Sequence, residues 1–179
     1  MKLLRMVWSG GLALLVLLTP AFAQRHHDPL NDLEIDQLRE ANLEADKRLK
    51  LIVSFARARL ASLDQARSDP KATDRAQATH DWLTDFVDIY DELNDNIDMY
   101  VDRKDDLRKP LGAVIEADAE FQSRLRALKD DISNKKEETR PYEFVLTSAI
   151  ESVDSSIQDH RQLLRQQEEA WKNRKKKKE

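Results

Sequence analysis

Apolar residues recur every three or four positions along most of the chain, and polar residues fill the positions between them. This spacing places the apolar side chains on one face of a helix. It predicts one short helix and four long ones, over residues 31–41, 46–67, 70–108, 110–132 and 141–171. Because the connections are short, neighbouring helices should run antiparallel. We therefore predict an all-α protein, an up-and-down antiparallel bundle of four long helices preceded by a short N-terminal helix.

Local signals mark the predicted helix starts. Asn31 is a favourable capping residue for the first helix. The stretch Ser68-Asp69-Pro70 combines capping side chains with a proline, and Pro110 and Pro141 follow at later breaks in the pattern. Proline is tolerated in the first turn of a helix, where its missing N–H removes no helical hydrogen bond. The last three long helices are therefore expected to begin at these prolines.

The first 23 residues have a different pattern. Lys2 and Arg5 precede a short apolar run over residues 12–18, and Ala21-Phe22-Ala23 resembles a signal-peptidase cleavage site. The apolar run is too short to span a membrane. We predict a secretory signal peptide, and hence an exported protein that is periplasmic or secreted. A retained N-terminal anchor is the alternative.

This assignment divides the chain into four parts. The signal peptide covers residues 1–23, and a flexible polar arm covers 24–30. The helical bundle domain is predicted over 31–171. A basic tail over 172–179 completes the chain.

The composition excludes several kinds of chemistry. The chain has no cysteine, and Gly112 is the single glycine after the predicted signal peptide. Phosphate-binding loops and nucleophile elbows need glycines, and thiol catalysis, zinc–cysteine sites and covalent haem attachment need cysteines. We therefore expect no cofactor and no enzymatic activity. Without Lys2 and Arg5, 28 basic residues stand against 34 acidic ones, a balance that argues against nucleic acid as a partner.

The third predicted helix contains an acidic segment, residues 81–102, with eight carboxylates and no basic residue. On a helical wheel its apolar side chains share one face, and most carboxylates fall on the opposite one. A calcium loop would need alternating oxygen ligands around a glycine turn, which this segment lacks. We interpret the segment first as a solvated helix face and second as a binding surface for a basic protein. The carboxylates of that surface are Asp88, Asp91, Asp95, Asp98 and Asp102.

Basic residues of the second helix can match the remaining carboxylates. In a hairpin around residue 70, Arg48 lies level with Glu92, and Arg59 lies near Asp81 and Asp85. Such pairs favour the antiparallel register, although each contributes only tenths of a kcal/mol to about 1 kcal/mol.

Two polar residues interrupt apolar helix faces. Asp118 falls among the apolar positions of the fourth helix, and His160 among those of the fifth. Antiparallel packing brings them within about one helical turn of each other, and a turn near Lys109 brings Tyr100 to the same level. A buried carboxylate needs such partners, since an isolated buried charge is costly. We favour a structural polar layer of Tyr100, Asp118 and His160; the alternative is an enzyme with an Asp118–His160 acid–base pair.

Each end of the predicted mature chain carries a further candidate site. Cleavage after Ala23 would expose Gln24-Arg25-His26, followed by His27, and such an N-terminus suits square-planar Cu(II) or Ni(II). Metal handling by His26 and His27 is thus an alternative function, although a flexible arm is favoured. The basic tail is either a frayed solubilising end or a tether to an anionic surface. Its tethering lysines would be Lys175, Lys176, Lys177 and Lys178.

These interpretations combine into one expected function. The protein is expected to be exported and non-enzymatic, and to bind an unidentified basic protein or an anionic envelope surface. Long amphipathic helices can also complete their core with a second copy, so a homo-oligomer is a further alternative.

Overall fold

The computed structural model describes residues 28–69, 72–132 and 140–177. These residues form five α-helices and contain no β-strand, which confirms the predicted all-α class. The helices are α1 (Asp32–Glu40), α2 (Ala45–Ser68), α3 (Arg75–Asp102), α4 (Arg108–Ile132) and α5 (Glu143–Lys176). None of the five carries an apolar stretch long enough and sparse enough in charge to cross a membrane.

The starts of α1 and α4 follow from local chemistry. The Asn31 side chain accepts a hydrogen bond from the Glu34 N–H at 3.0 Å, and the Glu34 carboxylate accepts one from the Asn31 N–H. This reciprocal pair is a capping box, and it fixes the start of α1. In α4, Pro110 lies within the first turn, not at the first residue, and there its missing N–H costs no helical bond.

The start of α3 was predicted too early. Ser68 belongs to α2, where its hydroxyl donates to the Gln65 carbonyl at 2.8 Å. Because that side chain bonds back into its own helix, it does not cap the next one. Helix α3 begins at Arg75, and Pro70 lies outside the described residues.

The end of α3 was predicted too late, because a backbone turn stops the helix at Asp102. Lys104 adopts a left-handed conformation with φ of 64°. Its N–H donates to the Val101 carbonyl at 2.9 Å, and the Asp105 N–H donates to the Tyr100 carbonyl at 3.0 Å. These two bonds define a Schellman C-terminus, which usually contains glycine at the left-handed position.

Helix α5 differs from the prediction at both ends. It starts at Glu143 instead of at Pro141, and it continues to Lys176, past the predicted end at residue 171. Basic side chains in its last turn suit the negative end of the helix macrodipole. Most of the predicted basic tail is therefore an extension of α5.

Two helix pairs meet with residue numbers running in opposite directions. Between α2 and α3, Arg48 pairs with Glu92 at 3.3 Å, while Arg59 lies 3.8 Å from Asp85. Between α4 and α5, contacts join Asp118 to His160 and Arg126 to Asp154. Each of these pairs is thus a hairpin.

The two hairpins pack side by side, with residue numbers rising together across their junctions. Arg57 pairs with Glu120 and Arg67 with Asp131 between α2 and α4. Between α3 and α5, the Asn94 amide donates to Ser156 at 3.1 Å. The closest helix contacts therefore form a ring in the order α2, α3, α5, α4. Consecutive helices α3 and α4 face each other across its interior.

Aromatic side chains fill the space between α3 and α4. Phe86 and Tyr90 of α3 and Phe121 of α4 are fully buried. The Phe121 ring meets Phe86 edge-to-face at 5.3 Å and Tyr90 edge-to-face at 6.2 Å. Such rings combine large apolar burial with a favourable quadrupole geometry. This cluster holds Tyr90, and hence its hydroxyl, at a fixed height in the core.

Helix α1 lies against the α2–α3 hairpin through a buried ionic cluster. Arg59 donates to both carboxylate oxygens of Glu34 and to the Pro29 carbonyl. Burial opposes ionisation of Glu34, but the hydrogen bond and charge of Arg59 outweigh it and lower the Glu34 pKa. Because both charged groups are almost wholly buried, the pair is tied to the docked position of α1.

Candidate functional site

The acidic face of α3 consists of Asp88, Asp91, Asp95, Asp98 and Asp102. Four of these side chains are exposed, and Asp88 is partly buried. Within the described residues, none of the five forms a salt bridge or side-chain hydrogen bond. The face therefore presents its full negative charge to solvent.

The other three carboxylates of the acidic segment have partners. Glu92 pairs with Arg48, and Asp85 is buried near Arg59, as the hairpin register predicts. Asp81 does not meet Arg59; it accepts a hydrogen bond from Gln77 at 2.7 Å on its own helix. Within the described residues, the carboxylates of this segment that lack a hydrogen-bond or ion-pair partner are therefore those of the acidic face.

Repulsion within the acidic face is visible at its centre. Partial desolvation raises the pKa of the Asp91 carboxyl, and the charges of Asp88 and Asp95 raise it further. These residues are three and four positions from Asp91, so they lie beside it on the helix surface. A cation placed on this face would relieve that repulsion.

A second polar feature is buried beneath the same helix. Asp118 is fully buried on α4 and His160 is 4% exposed on α5, and Nδ1 of His160 lies 2.8 Å from one Asp118 oxygen. The Tyr90 hydroxyl donates to the other oxygen at 2.8 Å. Since a carboxylate only accepts, the Nδ1 position of His160 is the donor in this pair. The buried carboxylate thus has partners on two other helices.

Tyr100 does not belong to this polar layer, contrary to the prediction. Its hydroxyl donates instead to the Asn42 carbonyl at 3.3 Å. The prediction placed the α3–α4 turn near Lys109, whereas the Schellman turn lies at Lys104. The earlier turn shifts the register by several residues, which brings Tyr90 and not Tyr100 to the level of Asp118.

Tyr90 is the member of the buried polar layer that the sequence analysis did not predict. Both tyrosines lie on the apolar face of α3, so periodicity alone does not distinguish them. Burial raises the pKa of the Tyr90 hydroxyl above its ordinary range, and Asp118 raises it further, against an opposing hydrogen bond from Ser156. Tyr90 therefore stays protonated and acts as a permanent donor to Asp118.

A cavity of about 300 Å³ lies between α3 and α5. His160 and Ser156 line it from α5, and Asn94 and Asp98 line it from α3. The cavity therefore joins the acidic face on the surface to the buried Asp118–His160 pair. It is the place where the two predicted sets of polar residues meet.

The basic end of α5 forms the remaining candidate surface. Lys175, Lys176 and Lys177 are exposed, whereas Lys178 lies outside the described residues. The Trp171 ring stacks with Arg108 at 4.4 Å and with the Lys175 ammonium at 4.1 Å from its centre. The Arg108 contact joins the last turns of α5 to the start of α4, whereas the Lys175 contact lies within α5.

The predicted metal site at His26 and His27 also lies outside the described residues. Within the described ranges, no group of three or more histidine or acidic side chains is arranged to hold a metal ion. Comparisons of the chain with protein-family models, with curated proteins and with solved structures found no match.

Proposed function

We propose that this protein is an exported, non-enzymatic binding protein that receives a basic segment of another protein on the acidic face of α3. One observation carries the proposal. Four carboxylates at the α2–α4 junction are paired with arginine or lysine, whereas the five on the outer side of α3 form no salt bridge within the described residues. A basic partner would supply the missing charge.

The proposed architecture behind this surface is an up-and-down bundle, in which consecutive helices alternate in direction and two hairpins pack side by side. The opposed numbering within α2–α3 and α4–α5 supports this arrangement, as does the ring of helix contacts. In such a bundle α3 has one side in the core and another in solvent. Its solvent side runs the length of the helix and offers an extended strip.

Electrostatics would govern partner selection on this strip. Exposed charges act mainly by speeding association and rejecting partners of like charge. Binding should therefore weaken steeply as salt increases, because the Debye length falls from about 10 Å at 0.1 M to about 3 Å at 1 M.

The basic end of α5 is proposed as a second contact surface, toward an anionic envelope surface. Its lysines are exposed, and Trp171 adds an aromatic group of the kind that sits at membrane–water interfaces. The opposite charges of the two surfaces would let them engage different partners without competition.

The test of the acidic face is binding of a fluorescein-labelled dodecalysine peptide, measured by anisotropy at low salt. The variant replaces four carboxylates of the face by amides and leaves Asp98 unchanged. These substitutions are Asp88→Asn, Asp91→Asn, Asp95→Asn and Asp102→Asn. We expect a loss of affinity of at least tenfold, since each exposed ion pair contributes up to about 1 kcal/mol.

A matched control removes the same number of charges elsewhere. Its positions are exposed and form no salt bridge within the described residues. They are Glu40→Gln, Glu116→Gln, Glu151→Gln and Glu169→Gln. If the control weakens peptide binding as much as the acidic-face variant does, net charge and not this surface attracts the peptide, and the proposal is wrong.

A further inference from the structure

The cavity between α3 and α5 has apolar walls and a polar floor. Ile97 and Val101 of α3 and Leu163 of α5 form the walls. Asn94, Ser156 and His160 contribute the polar groups deeper in the molecule. Such a combination suits a ligand with an alkyl stem and one polar end.

Polar side chains that line the cavity are linked to the buried Asp118 carboxylate through one chain of contacts. The Asn94 amide donates to Ser156 Oγ at 3.1 Å, and the Ser156 hydroxyl bonds to the Tyr90 oxygen. The Tyr90 hydroxyl then donates to Asp118, which also receives the His160 Nδ1 hydrogen. This chain of contacts links the lining of the cavity to the buried Asp118 carboxylate.

The cavity offers hydrogen-bond acceptors to a ligand. Asn94 Oδ1 is buried and has no hydrogen-bond partner among the described residues. His160, whose Nδ1 contacts Asp118, also lines the cavity. Asp98 and Asp159, both exposed, add two carboxylates at the mouth. A buried acceptor without a partner costs free energy that a donor-bearing ligand would recover.

We propose that this cavity binds the alkylammonium group of a lysine side chain, which anchors the basic partner on the acidic face. The ammonium has three N–H donors and no acceptor, which matches a cavity lined by the unpartnered Asn94 Oδ1 and by two carboxylates. Its four-carbon stem suits the apolar walls. This inference rests on the proposed function, because the lysine belongs to the partner that α3 receives.

Lysine fits this site better than arginine does. The guanidinium group is planar and pairs best with carboxylates side-on, whereas the ammonium is compact and accepts partners from several directions. The acceptors are the Asn94 amide oxygen and two carboxylates, Asp98 on α3 and Asp159 on α5. They therefore belong to two helices on either side of the cavity and are not a single carboxylate that a guanidinium could pair with side-on.

The direct test uses Nα-acetyl-lysine methylamide as the probe, with ¹H–¹³C NMR of the His160 ring and amide shifts along α3 and α5 as readouts. We expect saturable shifts at His160, Asn94 and Ser156. The Nε-acetylated form of the probe has lost the charge and two donors, so it should bind at least tenfold more weakly. Equal shifts with both probes would overturn the ammonium assignment.

Variants locate the site without disturbing the core. Asp98→Asn with Asp159→Asn changes two exposed side chains at the mouth and should weaken probe binding about tenfold. Glu151→Gln, an exposed change on α5 away from the cavity, should leave it unchanged. Asn94→Ala removes the buried acceptor and should weaken binding severalfold even if the mouth variant misfolds. Unaltered binding in the mouth variant and in Asn94→Ala would reject the cavity.

Further outcomes distinguish failure of the lysine-site proposal from failure of the proposed binding function. If dodecalysine binds the acidic face but the lysine probe gives no shifts at His160, the cavity proposal fails and the binding function stands. If neither peptide nor probe binds, both fail. A free diamine, 1,5-diaminopentane, that binds more tightly than the lysine probe would identify a small polyamine as the ligand and overturn the assignment to a partner's side chain.

Discussion

The α2–α4 side and the α3–α5 side of the protein join helices in the same relative direction, but they use charge differently. Across α2 and α4, a ladder of ion pairs covers the junction. Its rungs are Asp46–Lys109 at 2.9 Å, Arg57–Glu120 at 2.9 Å, Asp64–Arg124 at 2.6 Å and Arg67–Asp131 at 2.9 Å. Across α3 and α5, Asn94 and Ser156 form a neutral hydrogen bond, and Asp98 and Asp159 share the rim of a cavity.

This difference distinguishes a helix junction whose charges are paired from a surface whose charges are not. On the α2–α4 side each carboxylate of the ladder pairs with a cation, so the charges of these ion pairs balance. On the α3–α5 side, Tyr90 and His160 bond inward to Asp118, whereas Asn94 Oδ1 and the carboxylates of the acidic face have no partner within the described residues.

The largest effect should come from breaking the hydrogen bonds that Tyr90 and His160 make to the buried Asp118. Replacing Asp118 by alanine leaves the Tyr90 hydroxyl and the His160 ring without their buried acceptor. We expect a loss of about 3 kcal/mol or more in the free energy of unfolding, because buried donors lose their partner and gain no water. Urea unfolding followed by circular dichroism measures it.

The control for this substitution lies two positions earlier on the same helix. Glu116 is exposed, and its replacement by alanine should change stability by no more than about 0.5 kcal/mol. A loss below about 1 kcal/mol in Asp118→Ala would contradict the view that this chain of hydrogen bonds stabilises the α3–α5 side.

A smaller effect is expected from removing one of the ion pairs between α2 and α4. Arg124 pairs with Asp64 and also lies 3.5 Å from Glu120. Arg124→Ala should lower the free energy of unfolding by about 1 kcal/mol at low salt, since partly exposed pairs contribute tenths of a kcal/mol to about 1 kcal/mol each. The same unfolding experiment at 1 M NaCl should remove most of the loss.

Arg161 provides the comparison on α5. It is exposed and forms no salt bridge within the described residues, so Arg161→Ala should leave stability unchanged at either salt concentration. Equal losses for the two arginines would mean that the ladder contributes nothing specific to the α2–α4 junction.

The sequence predicted the helices and the Asp118–His160 contact because both depend on local patterns. Apolar periodicity identifies a helix without knowledge of its neighbours, and a polar residue on an apolar face must find a partner wherever it is buried. The identity of Tyr90 depends instead on the turn at Lys104. A lysine in the left-handed conformation gives no signal in the sequence, whereas a glycine there would have marked it.

The cavity, too, could not be predicted from the sequence. It exists because α3 and α5, which are not consecutive, lie side by side, while consecutive α3 and α4 face each other across the core. Short connections predict that neighbours run antiparallel, but they do not decide which helices become adjacent in the ring. The acidic face was readable in advance because solvent exposure follows directly from the helical wheel.

Replacing one carboxylate of the acidic face should stabilise the protein slightly. Asp91→Asn removes repulsion with Asp88 and Asp95, and like charges at this spacing destabilise a helix by a few tenths of a kcal/mol per pair. We expect a gain of about 0.5 kcal/mol near pH 7. The raised pKa of Asp91 means that the penalty is absent below its ordinary value of 3.8 and appears as pH rises through the raised value.

The pH dependence distinguishes this gain from a general preference for asparagine. Thermal unfolding at pH 7 and at pH 3 should show a difference between Asp91→Asn and the parent protein only at pH 7. A gain of the same size at both pH values would show that repulsion is not its cause.

The smallest effect tests the comparison most directly, because one carboxyl on each side of the protein has a pKa shifted from the ordinary aspartate value, and the two shifts are in opposite directions. Hydrogen bonds from Lys109 and Lys50 lower the pKa of Asp46 on the α2–α4 side, whereas the pKa of Asp91 is raised. Stability from Asp46 is therefore present above 3.8 and lost as pH falls through its lowered pKa. Carboxyl ¹³C NMR titrations at low salt and at 1 M NaCl should show the two pKa values approaching the ordinary value from opposite directions. Shifts in the same direction would mean that both carboxylates sense only the net charge of the protein, and the contrast between a matched junction and an unmatched one would lose its electrostatic basis.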